Sequence, residues 1–430
     1  MAGPVVRRKF LPRMVHCVAI SGVLFVGTLV RADVGSDRAA AILVFPKIVV
    51  DITSPQVAPP AQIDTLIRIS NTSNTPITMQ CFYVNATPQC TNNSGSCIAT
   101  PITCSPLTAC QPQWHENDFI VTITAGQPVA WLASRGSTVC SQSGDPTLPC
   151  LPLSDTRPGP NGQVNNGGIG QITSLVPPVA QDPFVGELKC IAVDLNELPV
   201  ERNDLKGEAE IVRSTPGGID VESYNAIGIP AIPGASRGAD THALVLGGSQ
   251  CTGGSNGQMP CAGPSDCPGS SCVSVAEYTG CPNILILDHF FDGAIDPVSD
   301  RAVTTDLTLV PCSEDFLLQQ PLSTTVQFLV FNEFEQRLST SRSVTCFQEL
   351  PISNIDRIID RKISTRSIFS AAVQGTLTGQ TRIRGVADQD ATHGHALLGV
   401  AEEFRQGGGT AAFNLHFQGS RPQSDFIYIP

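Results

Sequence analysis

Residues 63–69 read IDTLIRI, and this stretch decides the fold class. Its odd-numbered positions are Ile or Thr, whereas Asp64 and Arg68 stand at even-numbered positions. Successive side chains of a β-strand point to opposite faces, so the apolar positions share one face and the charges share the other. This period of two predicts a half-buried antiparallel strand.

The same alternation recurs along the chain. It is found in residues 77–83, 118–124, 187–193, 325–331 and 411–418. In 187–193 it places Glu187 and Lys189 opposite Leu188 and Cys190, so we expect the two charged side chains on the polar face of a half-buried strand. Residues 42–51, ILVFPKIVVD, form a β-branched run interrupted by Pro46, which predicts an edge strand.

The composition agrees with an all-β protein. Of 430 residues, 41% are hydrophobic and only 15% are charged, while 38 Gly and 34 Pro supply many turns. Long helices and coiled coils are therefore excluded. A strand, Asn, loop, strand, Cys, Phe order occurs twice, ending at Phe82 and at Phe347. The sequence predicts an all-β fold of two antiparallel β-sandwich (Ig-like) domains with long disulfide-stapled loops.

The expected organisation has four parts. They are a signal peptide at 1–32, a first β-sandwich domain at 33–245 with a Pro/Gly-rich loop at 141–184, a Cys-rich insert at 246–282 and a second β-rich domain at 283–430. The alternative for these two related sandwiches is that two β segments merely share a composition.

The N-terminus has the order of an export signal. Basic residues precede an uncharged apolar run at 14–30, and small residues flank Arg31 at a cleavage position. An uncleaved anchor remains the alternative, and Arg7-Arg8-Lys9-Phe10-Leu11 leaves a twin-arginine route open beside the general secretory route. The formal net charge is −12, and it becomes −17 without the five bases of residues 1–32. Such a polyanion disfavours binding to nucleic acid.

Cysteine usage also indicates export. The chain has 16 Cys, and Cys17 belongs to the signal, so an odd number remains for an oxidising compartment. Cys81 and Cys190 both fall at inward-facing positions of their strands, so we expect a disulfide between them. In the second domain we expect the corresponding disulfide between Cys312 and Cys346. Further disulfide candidates are Cys140, Cys150, Cys251, Cys261, Cys267 and Cys272.

Three motifs carry a family resemblance. Residues 251–272 have the spacing C-x₉-C-x₅-C-x₄-C, and the strands contain GELKC at 186–190 and FLVFNEFEQR at 328–337. In these motifs the chain resembles uncharacterised exported Cys-rich bacterial proteins with β-sandwich (Ig-like) domains. The resemblance implies secretion and no particular chemistry.

Motifs for chemistry are few. Gly234-Ala235-Ser236-Arg237-Gly238 matches the G-x-S-x-G elbow of hydrolases, but the prolines before it break the strand that an elbow requires. His393 and His395 are two apart, so on a strand they would share a face, and His416 lies on the polar face of a later strand. These three imidazoles are the candidate ligands of a zinc or copper ion, with solvated loop histidines as the alternative.

The sequence therefore predicts an exported, disulfide-stabilised, non-catalytic protein without a cofactor. We expect it in the periplasm, at the cell surface or outside the cell, where it acts in surface structure, adhesion or binding of an unidentified protein or surface partner. We expect no nucleic-acid partner and no membrane span after signal cleavage. The alternative is an exported metal-binding protein or metal-dependent enzyme that uses His393, His395 and His416.

Overall fold

The computed structural model describes most of the chain after residue 33. The described residues are 34–52, 62–90, 110–112, 114–139, 150–151, 176–195, 197–215, 218–232, 243–251, 253–256, 260–261, 265, 267–319, 322–356, 367–386, 395–420 and 425–429. The predicted signal peptide, most of the predicted loop at 141–184, Cys140, the motif at 234–238 and His393 lie outside them. Of the described residues, 64% lie in strands and 4% in helices, so the predicted all-β class is confirmed.

The strands are numbered in chain order. They are β1 (Ile42–Val50), β2 (Gln62–Asn71), β3 (Ile77–Asn85), β4 (Pro88–Cys90), β5 (Cys110–Pro112), β6 (His115–Ile123), β7 (Pro128–Leu132), β8 (Thr138–Val139), β9 (Cys150–Leu151), β10 (Phe184–Val193), β11 (Leu205–Thr215), β12 (Gly218–Asn225), β13 (Ile227–Ile229), β14 (Ala243–Cys251), β15 (Pro260–Cys261), β16 (Cys272–Thr279), β17 (Pro282–Phe290), β18 (Ile295–Asp296), β19 (Arg301–Pro311), β20 (Glu314–Asp315), β21 (Ser323–Asn332), β22 (Arg337–Thr345), β23 (Gln348–Pro351), β24 (Thr378–Val386), β25 (Leu397–Arg405), β26 (Thr410–Asn414), β27 (His416–Ser420) and β28 (Asp425–Tyr428). Short helical segments include α1 (Ala371–Gln374) and the 3₁₀ turns Gly254–Asn256 and Ile352–Asn354.

Five sheets contain most of these strands. Their orders are β13-β1-β10-β3-β6 in sheet 1, β12-β11-β2-β7 in sheet 2, β15-β14-β28-β20 in sheet 3 with β16 also on β14, β22-β21-β24-β17-β27 in sheet 4, and β18-β19-β25-β26 in sheet 5 with β23 also on β19. Most pairs are antiparallel, but β28 runs parallel to both β14 and β20. Sheet 3 therefore joins strands from the middle and from the far end of the chain.

The position of β1 differs from the prediction. It pairs with β10 on one side and with β13 on the other, so it is not an edge strand. The partner β13 covers only Ile42–Val44, and the register with β10 shifts between Phe45 and Ile48. Pro46 therefore lies in a bulge beyond the part that β13 covers, where a missing N–H group removes no ladder bond.

The hydrophobic core explains why two separate sandwiches do not form. One cluster of buried residues runs from the first sheet to Val310, Phe316, Val400 and Ile427 of the second half. Phe82 stacks on Phe316 with ring centroids 4.3 Å apart. The β-structure as a whole is arranged as a propeller-like ring of four blades. The predicted arrangement of two Ig-like sandwiches is therefore wrong. Alternation identifies which face of a strand is buried but not which sheet covers it.

The described chain holds together as one unit. Contacts group residues 32–430 into a single compact unit, and the boundary predicted between residues 245 and 246 falls within β14. As independently folding domains, the segments 33–245, 246–282 and 283–430 stay predictions. In the described part of the chain, no helix has the length and apolar character that a membrane crossing needs.

Candidate functional site

Two groups of buried charges lie between the sheets. The Lys47 cluster consists of Lys47, Arg213, Glu222, Asp306, Glu349 and Glu402, and the Lys189 cluster consists of Glu187, Lys189 and Glu314. Buried charges are rare unless they are paired. The geometry of these clusters therefore decides what chemistry the interior of the protein supports.

The bulge of β1 positions Lys47. All nine residues of β1 are buried, and the Lys47 side chain is 1% exposed. The phenol of Tyr224 donates a hydrogen bond to the carbonyl of Lys47 and accepts one from its N–H group at 3.2 Å. This single hydroxyl satisfies the backbone groups that the irregular ladder leaves unpaired.

The ammonium group of Lys47 contacts carboxylates of sheet 5. Its Nζ atom lies 2.5 Å from Glu349 Oε1 and also forms an ion pair with Glu402. Glu402 is buried to the same degree as Lys47, whereas the Glu349 side chain is 24% exposed. Burial opposes the charge on Lys47, but the two carboxylates outweigh it and raise the pKa of the amine.

A second cation completes this cluster. Arg213 Nη2 lies 3.3 Å from Glu402 Oε1, and its Nε atom lies 2.9 Å from Glu222 Oε1. The Arg213 guanidinium also stands 5.3 Å from the ring centroid of Phe404. Burial raises the pKa of Glu222 to about 7, with Glu402 adding to the shift and Arg213 opposing it. The Glu402 carboxyl group therefore lies between two cations, Lys47 and Arg213.

Oxygen atoms of Asp306, Glu349 and Glu402 lie within 4.8 Å of one another. Three carboxylates at this spacing suit a hard divalent cation. The Lys47 ammonium already contacts two of the three, so the protein supplies its own cation at this position. Burial raises the pKa of Asp306 to about 6, with Lys47 opposing the shift and Glu349 adding to it.

The Lys189 cluster is buried more completely. The side chains of Glu187 and Lys189 are 0% exposed and that of Glu314 is 2% exposed. Lys189 Nζ lies 2.5 Å from Glu314 Oε2 and 3.2 Å from Glu187 Oε2, and it donates a hydrogen bond to the carbonyl of Pro311 at 3.2 Å. These contacts connect β10 to β20 across the interior.

Proton occupancy differs within this cluster. Burial, and then the neighbouring Glu314, raises the pKa of Glu187 well above its usual value, while Lys189 opposes the shift. Burial opposes the charge on Lys189, but Glu187 and Glu314 together raise the pKa of the amine. The Glu187 carboxyl group is therefore protonated more readily than an exposed glutamate, and it lies beside the Lys189 amine.

The sequence pattern placed this cluster wrongly. Glu187 and Lys189 alternate with apolar residues in β10, which predicted a solvated polar face, but their side chains are fully buried. Both faces of β10 lie in the interior, where Glu314 supplies the missing partner. A Glu and a Lys two residues apart in an otherwise apolar strand were the only signal, and the partner is distant in sequence.

The candidate histidine ligands separate in burial. The structure describes His395, which is 3% exposed, and His416, which is exposed on β27. In the described segments, two groups of side chains have ligand atoms close enough to share an ion. They are Cys281, Cys312 and Asp425, and Asp306, Glu349 and Glu402, and neither group contains His395 or His416. With His393 outside the described residues, the three-histidine metal site stays a prediction.

The predicted disulfide between Cys81 and Cys190 is confirmed. The two residues face each other in the register of β3 and β10, and their Cα atoms are 4.0 Å apart. The predicted pair of Cys312 with Cys346 is wrong, because Cys312 bonds to Cys281. Cys281 immediately precedes β17, which brings it to the end of β19, whereas the spacing of the sequence had associated it with the Cys-rich insert.

Cys346 keeps a free thiol, the only one found among the described cysteines, and this thiol is buried. Burial, followed by Glu314 and Glu187, raises its pKa, so the thiol is protonated and unreactive at neutral pH. Cys267 is disulfide-bonded, and Cys251 faces Cys272 in the register of β14 and β16. The pairings of Cys251, Cys261, Cys272, Cys140 and Cys150 stay predictions.

Surface cavities are separate from the buried clusters. Three cavities of about 540, 370 and 490 Å³ lie on sheet surfaces. The first is lined by Arg68 and Glu208, which pair with each other at 2.7 Å. Neither Lys47, Lys189 nor any of their carboxylate partners lines these cavities.

Comparisons with known proteins give no assignment. No family model matches the chain, and no match was found among curated proteins or among solved structures. The function must therefore be argued from the residues themselves.

Proposed function

We propose that this chain is an exported, disulfide-stabilised, non-catalytic protein that acts in cell-surface structure, adhesion or partner binding. The observation that carries the proposal is the placement of its perturbed acid–base groups. Lys47, Lys189 and their carboxylates join strands that are distant in sequence, and they contact one another away from the surface cavities. A catalytic acid or base must reach a substrate, so these contacts favour a structural use of the charges.

The disulfides support the compartment. Cys81–Cys190 joins β3 to β10, and Cys281–Cys312 joins the residue before β17 to the residue after β19; both bonds are buried. Such bonds persist in oxidising compartments and are rare in the cytosol. Export through the N-terminal signal at 1–32, with delivery to the periplasm, the cell surface or the medium, is part of the same proposal. The exposed sheet faces and edge strands are then the surfaces available to a partner.

The test is an experiment on the protein in its native cells. Intact cells are treated with a membrane-impermeant amine-reactive label, and the protein is then isolated in the presence of a thiol-blocking reagent and without reductant. We expect labelled protein that begins after residue 32 and has its cysteines oxidised apart from Cys346. Unlabelled protein with reduced cysteines inside the cell would contradict the proposal.

The metal-dependent alternative is distinguished by metal analysis. The purified protein is dialysed and its bound transition metals are measured, with a His395→Ala and His416→Ala variant as the comparison. The non-catalytic proposal expects no stoichiometric ion in either sample. One ion per chain that disappears in the variant would establish the alternative.

A further inference from the structure

The Lys189 cluster has the arrangement of a reaction site within the protein interior. Lys189 Nζ lies 2.5 Å from Glu314 Oε2 and 3.2 Å from Glu187 Oε2, so two carboxyl groups approach one amine. The geometry points to a covalent amide bond between Lys189 Nζ and Glu314 Cδ, formed by the folded chain itself with Glu187 as the proton-transfer group. This inference is independent of the proposed function.

The reaction is a condensation that balances without a co-reactant. Lys189 passes a proton to Glu314 across their 2.5 Å contact, which leaves a neutral amine beside a carboxylic acid. The amine lone pair then forms the N–C bond at Glu314 Cδ, and one C–O bond of that carboxyl group breaks. The departing oxygen leaves as water, so an ammonium and a carboxylate become one amide and one water molecule.

Glu187 has the position that the step requires, and its raised pKa favours the protonated form. Its Oε2 atom lies 3.2 Å from Lys189 Nζ, and its Oε1 atom accepts a hydrogen bond from that amine at 3.3 Å. A protonated Glu187 polarises the Glu314 carbonyl as negative charge develops on it, and it takes back a proton when the amine nitrogen loses one. Glu187 is unchanged at the end of the cycle.

Burial favours both the rate and the product. The three side chains are held in contact by β10 and β20, which replaces a bimolecular encounter by a fixed approach. A buried ion pair also retains the desolvation penalty of two charges, whereas an amide carries no net charge. The released water leaves a site in which the reactants are at most 2% exposed.

The Lys47 cluster lacks these conditions. Glu402 contacts two cations, Lys47 and Arg213, and Glu349 is 24% exposed to water, so no carboxyl group there is enclosed with a single amine. We therefore expect an ion pair at Lys47 and an amide at Lys189. A single bond per chain follows, which makes the prediction quantitative.

The test is the intact mass of the native full-length protein after complete reduction and denaturation. We expect a mass lower by one water than the mass calculated for the chain from its observed N-terminal residue. Peptide mapping of the same sample should show the peptide with Lys189 joined to the peptide with Glu314, and no tryptic cleavage after Lys189. A full mass, or a water deficit that maps to Glu187 or to any other residue, would overturn the inference.

Variants sharpen the same measurement. Lys189→Arg keeps a cation but abolishes the bond, so the water deficit should vanish, whereas the matched Lys47→Arg variant should keep it. Glu314→Gln should release ammonia and reach the same final mass as the wild-type product. The peptide map of the wild-type protein tests the inference without any variant. The inference can therefore be disproved even if the variants fail to fold.

Discussion

The two buried lysines of this protein have similar immediate contacts but different surroundings. Lys47 and Lys189 each approach a glutamate carboxyl group inside the structure, and burial opposes the charge of both. The Lys47 cluster adds Arg213 and reaches water through Glu349, whereas the Lys189 cluster has a single cation and no such access. Burial raises the pKa of a carboxyl group in both clusters, of Glu222 beside Arg213 and of Glu187 beside Lys189, so a second cation and access to water do not remove the effect of burial.

The largest effect is expected at Lys189. Lys189→Met removes both the proposed amide and the only cation beside Glu187 and Glu314, and breaking a buried pair alone costs about 3–5 kcal/mol of the free energy of unfolding. Urea unfolding of the wild type and the variant at neutral pH measures the loss. The matched control is Lys206→Met on the exposed side of β11, which should change stability by less than about 0.5 kcal/mol. Equal losses of stability in Lys189→Met and Lys206→Met would refute the description of a buried ion cluster at Lys189.

A smaller loss is expected at Lys47. Lys47→Met removes one of two cations, but Arg213 remains beside Glu402 and water remains beside Glu349. We expect the free energy of unfolding to fall by about 2–3 kcal/mol, which is less than at Lys189, because Arg213 and water still compensate part of the remaining negative charge. Urea midpoints of the two variants measured side by side test this order, and the reverse order would break the comparison.

The pH dependence has a definite sign. Glu222 has a folded pKa of about 7 against an ordinary value of 4.5, so between these values the folded chain binds protons that the unfolded chain has lost. Stability therefore falls as the pH rises through this window, by about 1–3 kcal/mol for this group. Urea unfolding at the two ends of the window checks the direction. Glu222→Gln should flatten the slope, and Glu208→Gln at an exposed ion pair should leave it unchanged.

The smallest effect is expected on the surface. Arg68 pairs with Glu208 at 2.7 Å, but the side chains are 42% and 46% exposed. Water and salt screen such a pair, so a double-mutant cycle of Arg68→Ala and Glu208→Ala should give a coupling of about 0.2–1 kcal/mol. If the coupling free energy of Arg68 and Glu208 were as large as the loss of stability in Lys47→Met, burial would not explain the difference between the surface pair and the buried cluster.

The sequence predicts the strands better than their surroundings. Alternation identified β2, β3, β6 and β10, and the inward phase of Cys81 and Cys190 predicted their disulfide. These inferences succeed because the pleat of a strand imposes its period on the residues directly. They need no knowledge of distant segments.

The errors have a common physical cause. The polar phase of Glu187 and Lys189 is the same whether water or Glu314 faces them, and only the fold places Glu314 there. The choice of Cys281 over Cys346 as the partner of Cys312 likewise depends on how the sheets pack. The alternation of residues within one strand gives no information about contacts with distant segments. The sequence pattern therefore predicted neither the buried clusters nor the ring of sheets.

The parallel strand β28 has a consequence for the order in which the chain folds. It pairs with β14 and with β20, so sheet 3 is completed only after residue 428 has been synthesised. The ion pairs of Lys47 likewise form only after Glu349 and Glu402 have been synthesised. Non-local pairings of this kind slow folding, and the edge of β14 that binds β28 stays unpaired until β28 is present. A nascent chain of this protein therefore depends on protection from aggregation for most of its synthesis.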